Sequence, residues 1–155
     1  MTIDPRLQTL LNDLGLHMRL DGLRLDDDGY CALRFDNEFT INFQYGDNHQ
    51  QLLMYADLGI PARGEKLYST LLQANLFWRL TMGATLSLSG DEPAHVIIAL
   101  QQPWQSQTVT ELAAVLEQFV NTVEDWAEAV RGDAKVTDED NLTISPLDNN
   151  AFIRV

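Results

Sequence analysis

The sequence predicts an α+β domain, in which helices flank an antiparallel sheet in the order α-β-β-β-α-β-β-α. Three observations predict this class. Stretches of alternating apolar and polar residues are joined by short, turn-rich links, as in antiparallel hairpins. Stretches with apolar residues three and four positions apart, which indicate helices, precede, interrupt and follow the strands. The chain has 155 residues, 45% of them hydrophobic, and this is enough for one layered core.

The first helix is predicted to begin at Asp4, with Pro5 in the first helical position. Aspartate is a favoured N-cap residue and proline suits the first turn, where its missing N–H costs nothing. The apolar stripe of this helix consists of Leu7, Leu10, Leu11 and Leu14. Gly15 is the predicted end of the helix.

Three strands follow the first helix, over residues 31–36, 38–45 and 51–58. The first two alternate strictly, which indicates one buried and one solvated face. The third is apolar on both faces, because Leu53 and Tyr55 lie opposite its other apolar residues. A helix of the same subunit and a partner are both possible covers for these two residues.

A second helix is predicted over residues 65–81, and its apolar positions are unusually widely spread. At 100° per residue they sweep an arc of about 240°, whereas a helix that covers one sheet needs little more than about 100°. These positions are Leu67, Tyr68, Leu71, Leu72, Ala74, Leu76, Trp78 and Leu80. We interpret the excess apolar surface as a subunit interface.

Gly83 ends the second helix, and a hairpin with strands at residues 84–89 and 96–100 comes next. The last helix is predicted over residues 106–131, with a narrow apolar stripe that caps the sheet. We therefore expect one domain over residues 1–131 and an acidic, flexible tail over residues 132–155.

The charge of the chain limits its partners. There are 10 Lys+Arg against 23 Asp+Glu, a formal net charge of −13. Nucleic acid and anionic membranes both require basic surfaces, so neither is an expected partner. The N-terminus has no basic and then apolar region typical of a secretory signal, and no run of about 18 apolar residues is present. We expect a cytoplasmic protein.

No pattern of catalytic or metal-binding residues is evident. The three histidines lie in different predicted elements, and the single cysteine, Cys31, falls on the apolar face of a strand. If Gly29 is aligned with the glycine at the sixth position of a calcium-binding loop, Arg24 falls at the first ligand position, where a carboxylate is required. Nucleophile-elbow, phosphate-loop and dinucleotide motifs are missing. We therefore predict no enzyme, no cofactor and no metal site.

Two stretches resemble a known family. The first runs from Leu71-Leu72-Gln73-Ala74-Asn75-Leu76-Phe77-Trp78 to Gly83-Ala84-Thr85-Leu86-Ser87-Leu88, a helix with leucine, asparagine and aromatic positions that leads through glycine into a strand. The second is the last helix, from Leu116-Glu117-Gln118-Phe119-Val120 to Glu124-Asp125-Trp126. With the element order and acidity, they resemble class I type III secretion chaperones of the Tir chaperone (CesT-type) family over residues 4–130.

The resemblance implies a homodimer in the bacterial cytoplasm that binds the N-terminal segment of a secreted effector in extended form. It implies no catalysis. The dimer interface would use Leu72, Leu76, Leu80 and Leu86. The effector-binding groove would use Leu7, Leu11, Leu14, Leu33, Phe35, Ile41 and Phe43, several of which are equally consistent with a plain core.

Two other functions remain open. A protein of the same fold could be a regulatory or adaptor protein that recognises a folded partner. A small enzyme would require a pocket with converging polar groups, for which the sequence offers no candidate.

Overall fold

The computed structural model describes residues 2–36, 38–46 and 51–132, so the expected tail lies outside the described residues beyond Gly132. The element order confirms the predicted α-β-β-β-α-β-β-α arrangement. The elements are α1 (Pro5–His17), β1 (Tyr30–Phe35), β2 (Phe39–Tyr45), β3 (Gln51–Gly59), α2 (Gly64–Ala74), a 3-10 turn (Leu76–Trp78), β4 (Thr85–Leu88), β5 (Val96–Pro103) and α3 (Val109–Arg131).

The five strands form one antiparallel sheet in the order β1-β2-β3-β5-β4. The hairpin of β4 and β5 therefore joins the meander through β5, and β1 and β4 are the two edges. In β1 and β2 the alternation of the sequence sets the faces, with Cys31 opposite Phe43 and Leu33 opposite Ile41. A one-residue shift would turn these apolar residues to the solvent, so burial specifies the register.

Helices α1 and α3 cover one face of the sheet and enclose the core. Both begin as the sequence predicts or close to it: the Asp4 carboxylate accepts a hydrogen bond from Arg6 N at 2.9 Å, and Thr108 with Glu111 forms a capping box at α3. The core residues of the two helices are Leu7, Leu11, Leu14, Leu112, Leu116, Phe119, Val123, Trp126, Ala127 and Val130. They pack on Ile41, Phe43, Leu52, Met54, Ala56, Val96 and Ile98 of the sheet.

The opposite face of the sheet carries a mixture of polar and apolar side chains. The Tyr30 hydroxyl donates a hydrogen bond to Asn42 Oδ1 at 2.7 Å, which links β1 to β2 on this face. Leu53 and Tyr55 are only partly buried here. Burial raises the pKa of Tyr55, with a smaller contribution from Tyr30. Since α1 and α3 pack on the other face, neither covers Leu53 and Tyr55.

The predicted helix over residues 65–81 is wrong beyond Ala74, where α2 ends. The chain then makes a 3-10 turn, and Phe77, Trp78 and Met82 adopt left-handed backbone angles that no α-helix contains. We attribute this end of the helix to Asn75. Its side-chain amide, instead of facing solvent, hydrogen-bonds the backbone of Leu86, which lies eleven residues further along the chain. The predicted arc of about 240° assumed that the helix continues to residue 81. The residues after Ala74 turn away from the helix axis, so the arc does not describe them.

In the part of the chain that the structure describes, no helix combines the length and apolarity that a bilayer crossing requires.

Candidate partner-binding surfaces

An exposed apolar surface surrounds the end of α2. We call it the α2 surface. Its members are Leu72, Leu76, Phe77, Trp78, Leu80 and Met82, each between 41% and 72% exposed. Exposed apolar side chains concentrated in one short stretch of the chain are typical of a protein-binding site.

The α2 surface is held by bonds to neighbouring elements rather than by helical geometry. Trp78 Nε1 donates to Thr85 Oγ1 at 3.2 Å, which ties the 3-10 turn to β4. Trp126 Nε1 of α3 donates to the carbonyl of Leu80 at 3.2 Å. The backbone N–H of Gly83 returns to the carbonyl of Trp78 at 3.1 Å. The turn is therefore a defined structure that presents its apolar side chains outward.

The residues predicted for the dimer interface divide into two groups. Leu72 is 72% exposed, and Leu76 and Leu80 are each 43% exposed, so all three are available to a partner. Leu86 is 3% exposed and belongs to the core of this chain. Its side chain lies on the inner face of β4, where alternation places it opposite Ile98. The dimer itself remains a prediction.

The residues predicted for the effector groove also divide. Leu7, Leu11, Leu14, Ile41 and Phe43 are fully buried beneath the helices. Leu33 and Phe35 are partly exposed at the edge of the core. Contact of any of these residues with an effector remains a prediction, but only the last two reach the surface of this structure.

Phe39, which the prediction missed, completes an apolar patch at the turn of the first hairpin. Its ring stacks on Phe35 with centroids 5.7 Å apart and an angle of 16° between planes. We call Leu33, Phe35 and Phe39 the hairpin patch. The sequence contained the signal, since the alternation of β2 puts Phe39 on the same face as Ile41, and a tight hairpin brings it to Phe35.

The free edge of β1 runs beside the hairpin patch. At its start, Tyr30 N donates to Asp26 Oδ1 at 2.9 Å and the Tyr30 carbonyl accepts from Asp26 N at 2.8 Å, so this position is closed. The alternation of an antiparallel ladder points the backbone groups of Ala32 and Arg34 in the same outward direction. Both residues are exposed, and their outward groups have no partner within the described ranges. The edge is open to an added strand.

Among the described residues, two features bear on possible chemistry, a buried thiol and an open polar depression. Burial, with a smaller effect of Asp26, raises the pKa of the Cys31 thiol to about 12, so it is a poor nucleophile. An open depression of about 340 Å³ beside β2 and the end of β3 is lined by Glu38, Phe39, Thr40, Asn42, Asp57, Gly59 and His95. There His95 Nδ1 lies 2.8 Å from Asp57 Oδ2. Among the described residues, no group of three or more His, Cys, Asp or Glu could hold a metal ion.

The open edge of β1 and the exposed apolar surfaces are together the features of a protein-binding domain. Residues 9–127 match the sequence model of the Tir chaperone protein (CesT) family, and the chain belongs to that family. This match confirms the resemblance inferred from residues 71–88 and 116–126. The family is one of chaperones. No curated protein matches the sequence significantly.

Solved structures show the same fold. A chain in the crystal structure of the ExsC–ExsE complex has a TM-score of 0.69 and 23% identity, covering 84% of this chain and 98% of that chain. The Yersinia pestis type III secretion chaperone SycH, solved with a stable fragment of YscM2, gives 0.62 and 22%, covering 76% and 97%. The ExoT–SpcS complex of Pseudomonas aeruginosa gives 0.61 and 20%, covering 79% and 98%. The predicted fold class, that of type III secretion chaperones, is thus confirmed.

Proposed function

We propose that the chain is a type III secretion chaperone that binds the N-terminal segment of a secreted effector in extended form and keeps it soluble and ready for export. Family membership supports the chaperone role, and the similar structures named above are complexes with partner proteins. The observation that carries the proposal is the open edge of β1 beside the hairpin patch.

The β1 edge and the hairpin patch together suit an extended peptide. The outward backbone groups of Ala32 and Arg34 can pair with a peptide backbone whatever its sequence. The patch, formed by Leu33, Phe35 and Phe39, can receive every second side chain of the same peptide. The proposed site therefore keeps Leu33 and Phe35 from the predicted groove, adds Phe39, and omits the five buried residues.

We further propose that two copies associate through the α2 surface. Leu72, Leu76 and Leu80 would lose their exposed apolar area on association, which is the main favourable contribution to most protein interfaces. Leu86 is omitted from this interface, because its side chain already lies in the core. A dimer would present two β1 edges, so one long effector segment could contact both.

A chaperone of this kind needs no catalytic centre and no cofactor, and we propose that the chain has neither. Its place would be the bacterial cytoplasm, because an effector must be bound there before it is exported. The formal net charge of −13 would suit a basic effector segment and would also keep the complex soluble.

The test is co-expression of the chain with the N-terminal segments of type III effectors from the same genome. We expect one effector segment to co-purify with two copies of the chain, and its binding to slow amide exchange at Ala32 and Arg34. Ala32→Pro removes an outward N–H without breaking a ladder bond, and should weaken binding at least tenfold. Ala32→Ser, which retains this N–H, is the matched control.

The outcomes separate the function from the site. If no effector segment binds and loss of the chain leaves effector secretion unchanged, the chaperone function is wrong. If a complex forms and both Ala32 variants bind equally, the function stands and the β1 site is wrong.

The alternative, an adaptor for a folded partner, is favoured by the outer face of the sheet, where Leu53 and Tyr55 are partly exposed. The same experiment distinguishes it. A folded partner would retain its own slow amide exchange in the complex, and protection in this chain would appear at residues 53–55 rather than at the β1 edge.

A further inference from the structure

Asn75, at the end of α2, hydrogen-bonds the edge strand β4 with both ends of its side-chain amide. Its Nδ2 donates to the carbonyl of Leu86 at 2.8 Å, and the N–H of Leu86 donates to its Oδ1 at 2.8 Å. One donor and one acceptor held in a single plane reproduce the two bonds that a residue of a neighbouring strand would make. The amide thus occupies the position that a further strand beside β4 would take.

The ladder shows which groups of β4 face outward. The N–H of Ser89 donates to the carbonyl of His95 on the β5 side, so alternate residues, Leu86 and Leu88 among them, point away from β5. The N–H of Ala84 is also occupied, since it donates to the carbonyl of Thr81 at 3.0 Å. The N–H of Ala84 and both backbone groups of Leu86 are therefore already hydrogen-bonded. Leu88 is then the main residue of β4 with outward groups left for an added strand.

At the centre of the opposite edge, the described residues provide no such side chain. The outward groups of Ala32 and Arg34 in β1 meet no side-chain amide within the described ranges. An edge with free N–H and C=O groups is a template for any extended chain, including a second copy of the protein. The two edges of one sheet therefore differ in their capacity to pair, and at Leu86, in the middle of β4, the difference rests on the Asn75 side chain.

We propose that Asn75 determines which edge of the sheet accepts an added strand: it closes β4 and leaves β1 as the site of strand addition. The role of β1 rests on the proposed function, whereas the closing of β4 is a property of this chain alone. Without the amide, two copies could pair through β4 and join their sheets into one. Asn75 then keeps association at the α2 surface from continuing through strand pairing.

The experiment uses the full-length chain with Asn75→Ala, measured by light scattering across a concentration series and by amide exchange. We expect the Asn75→Ala protein to reach at least twice the mass of the unaltered protein at high concentration, since each copy would offer a second contact. At low concentration its Leu86 amide should exchange about tenfold faster, since it has lost its acceptor.

A second substitution separates an open edge from a damaged fold. Adding Leu88→Pro to Asn75→Ala removes the outward N–H of residue 88 and blocks strand pairing, so the mass should return to that of the unaltered protein. Adding Leu88→Ala instead keeps this N–H, removes the same apolar side chain, and should leave the increased mass. Asn75→Asp, which retains the acceptor for Leu86 N–H, should keep that amide slow and should associate less than Asn75→Ala.

The proposal is overturned if Asn75→Ala retains the mass of the unaltered protein, or if the two double variants associate equally. If Asn75→Ala does not fold, the Asn75→Asp comparison decides: an unchanged mass with a fast Leu86 amide would contradict the proposal. None of these measurements involves an effector. Failure of the chaperone function would therefore leave them unaffected, and their failure would leave effector binding at β1 intact.

Discussion

Phe35 and Phe39 stack across the turn of the β1–β2 hairpin, and both remain partly exposed although they lie on the inner face of the sheet. Phe43 lies on the same face of β2, four residues beyond Phe39, and is fully buried. The cover provided by α1 and α3 therefore ends between Phe43 and the hairpin turn. An apolar residue beyond that limit is available to a partner, whereas one inside it stabilises the fold.

This limit predicts opposite effects for two phenylalanines. Phe43→Ala should lower the free energy of unfolding by about 3–5 kcal/mol, because it leaves a cavity in a closed core. Phe35→Ala should lower the free energy of unfolding by clearly less, since the Phe35 ring is partly solvated. It should, however, weaken effector binding. Urea unfolding and a binding titration measure the two quantities. Equal stability losses would mean that the hairpin patch is part of the core.

The α2 surface predicts that Leu72→Asp separates the dimer without unfolding the chain. Leu72 is 72% exposed, so a carboxylate there costs the monomer little, but in an apolar interface it would have to be desolvated. Gln73→Asp places the same charge at the next exposed position of α2 and is the control. Light scattering should give a monomer for Leu72→Asp and a dimer for the control. A dimeric Leu72→Asp protein would exclude this interface.

The capping box of α3 predicts a pH-dependent contribution to stability. Hydrogen bonds from the backbone N–H and then the hydroxyl of Thr108 lower the pKa of Glu111 below its ordinary 4.5. Because the carboxylate form is favoured in the folded state, its contribution is complete above pH 4.5 and is lost as the pH falls through the lower folded value. Glu111→Gln should therefore be less stable than the unaltered protein at pH 7 and nearly equal to it at strongly acidic pH.

Thermal unfolding of the two proteins across this pH range is the measurement. Glu117→Gln, on the exposed middle of the same helix, controls for the loss of one carboxylate without loss of the cap. A stability difference for Glu111→Gln that does not change with pH would mean that the ionised cap contributes nothing.

Burial of Cys31 predicts slow alkylation of the folded chain. Raising the thiol pKa from 9.0 to about 12 lowers its thiolate fraction at pH 8 by about a thousandfold, and exclusion of the reagent slows the reaction further. Iodoacetamide at pH 8 should therefore modify the protein in urea far faster than the folded protein. Comparable rates would show that the edge strand β1 opens readily, and would argue against a preformed site beside it.

The element order could be predicted from the sequence because it depends on local patterns. Alternation over β1 and β2 follows from the pleat, and Asp4-Pro5 combines a favoured N-cap residue with a favoured first helical residue. The same patterns put Leu33, Phe35 and Phe39 on the inner face. These patterns could not predict that the cover of α1 and α3 ends before these residues, because the reach of a helix across a sheet depends on the packing of all the elements.

The sequence by itself thus determined the α+β order, the inner and outer faces of β1 and β2, and the likeness to secretion chaperones through residues 71–88 and 116–126. Only the tertiary structure decided where α2 ends and which apolar residues remain exposed. Both depend on contacts between distant residues, such as the Asn75 amide on Leu86 and the Trp126 indole on the carbonyl of Leu80. Helical periodicity describes the neighbours of a residue along the chain, and it contains no information about a partner that the fold brings from another element.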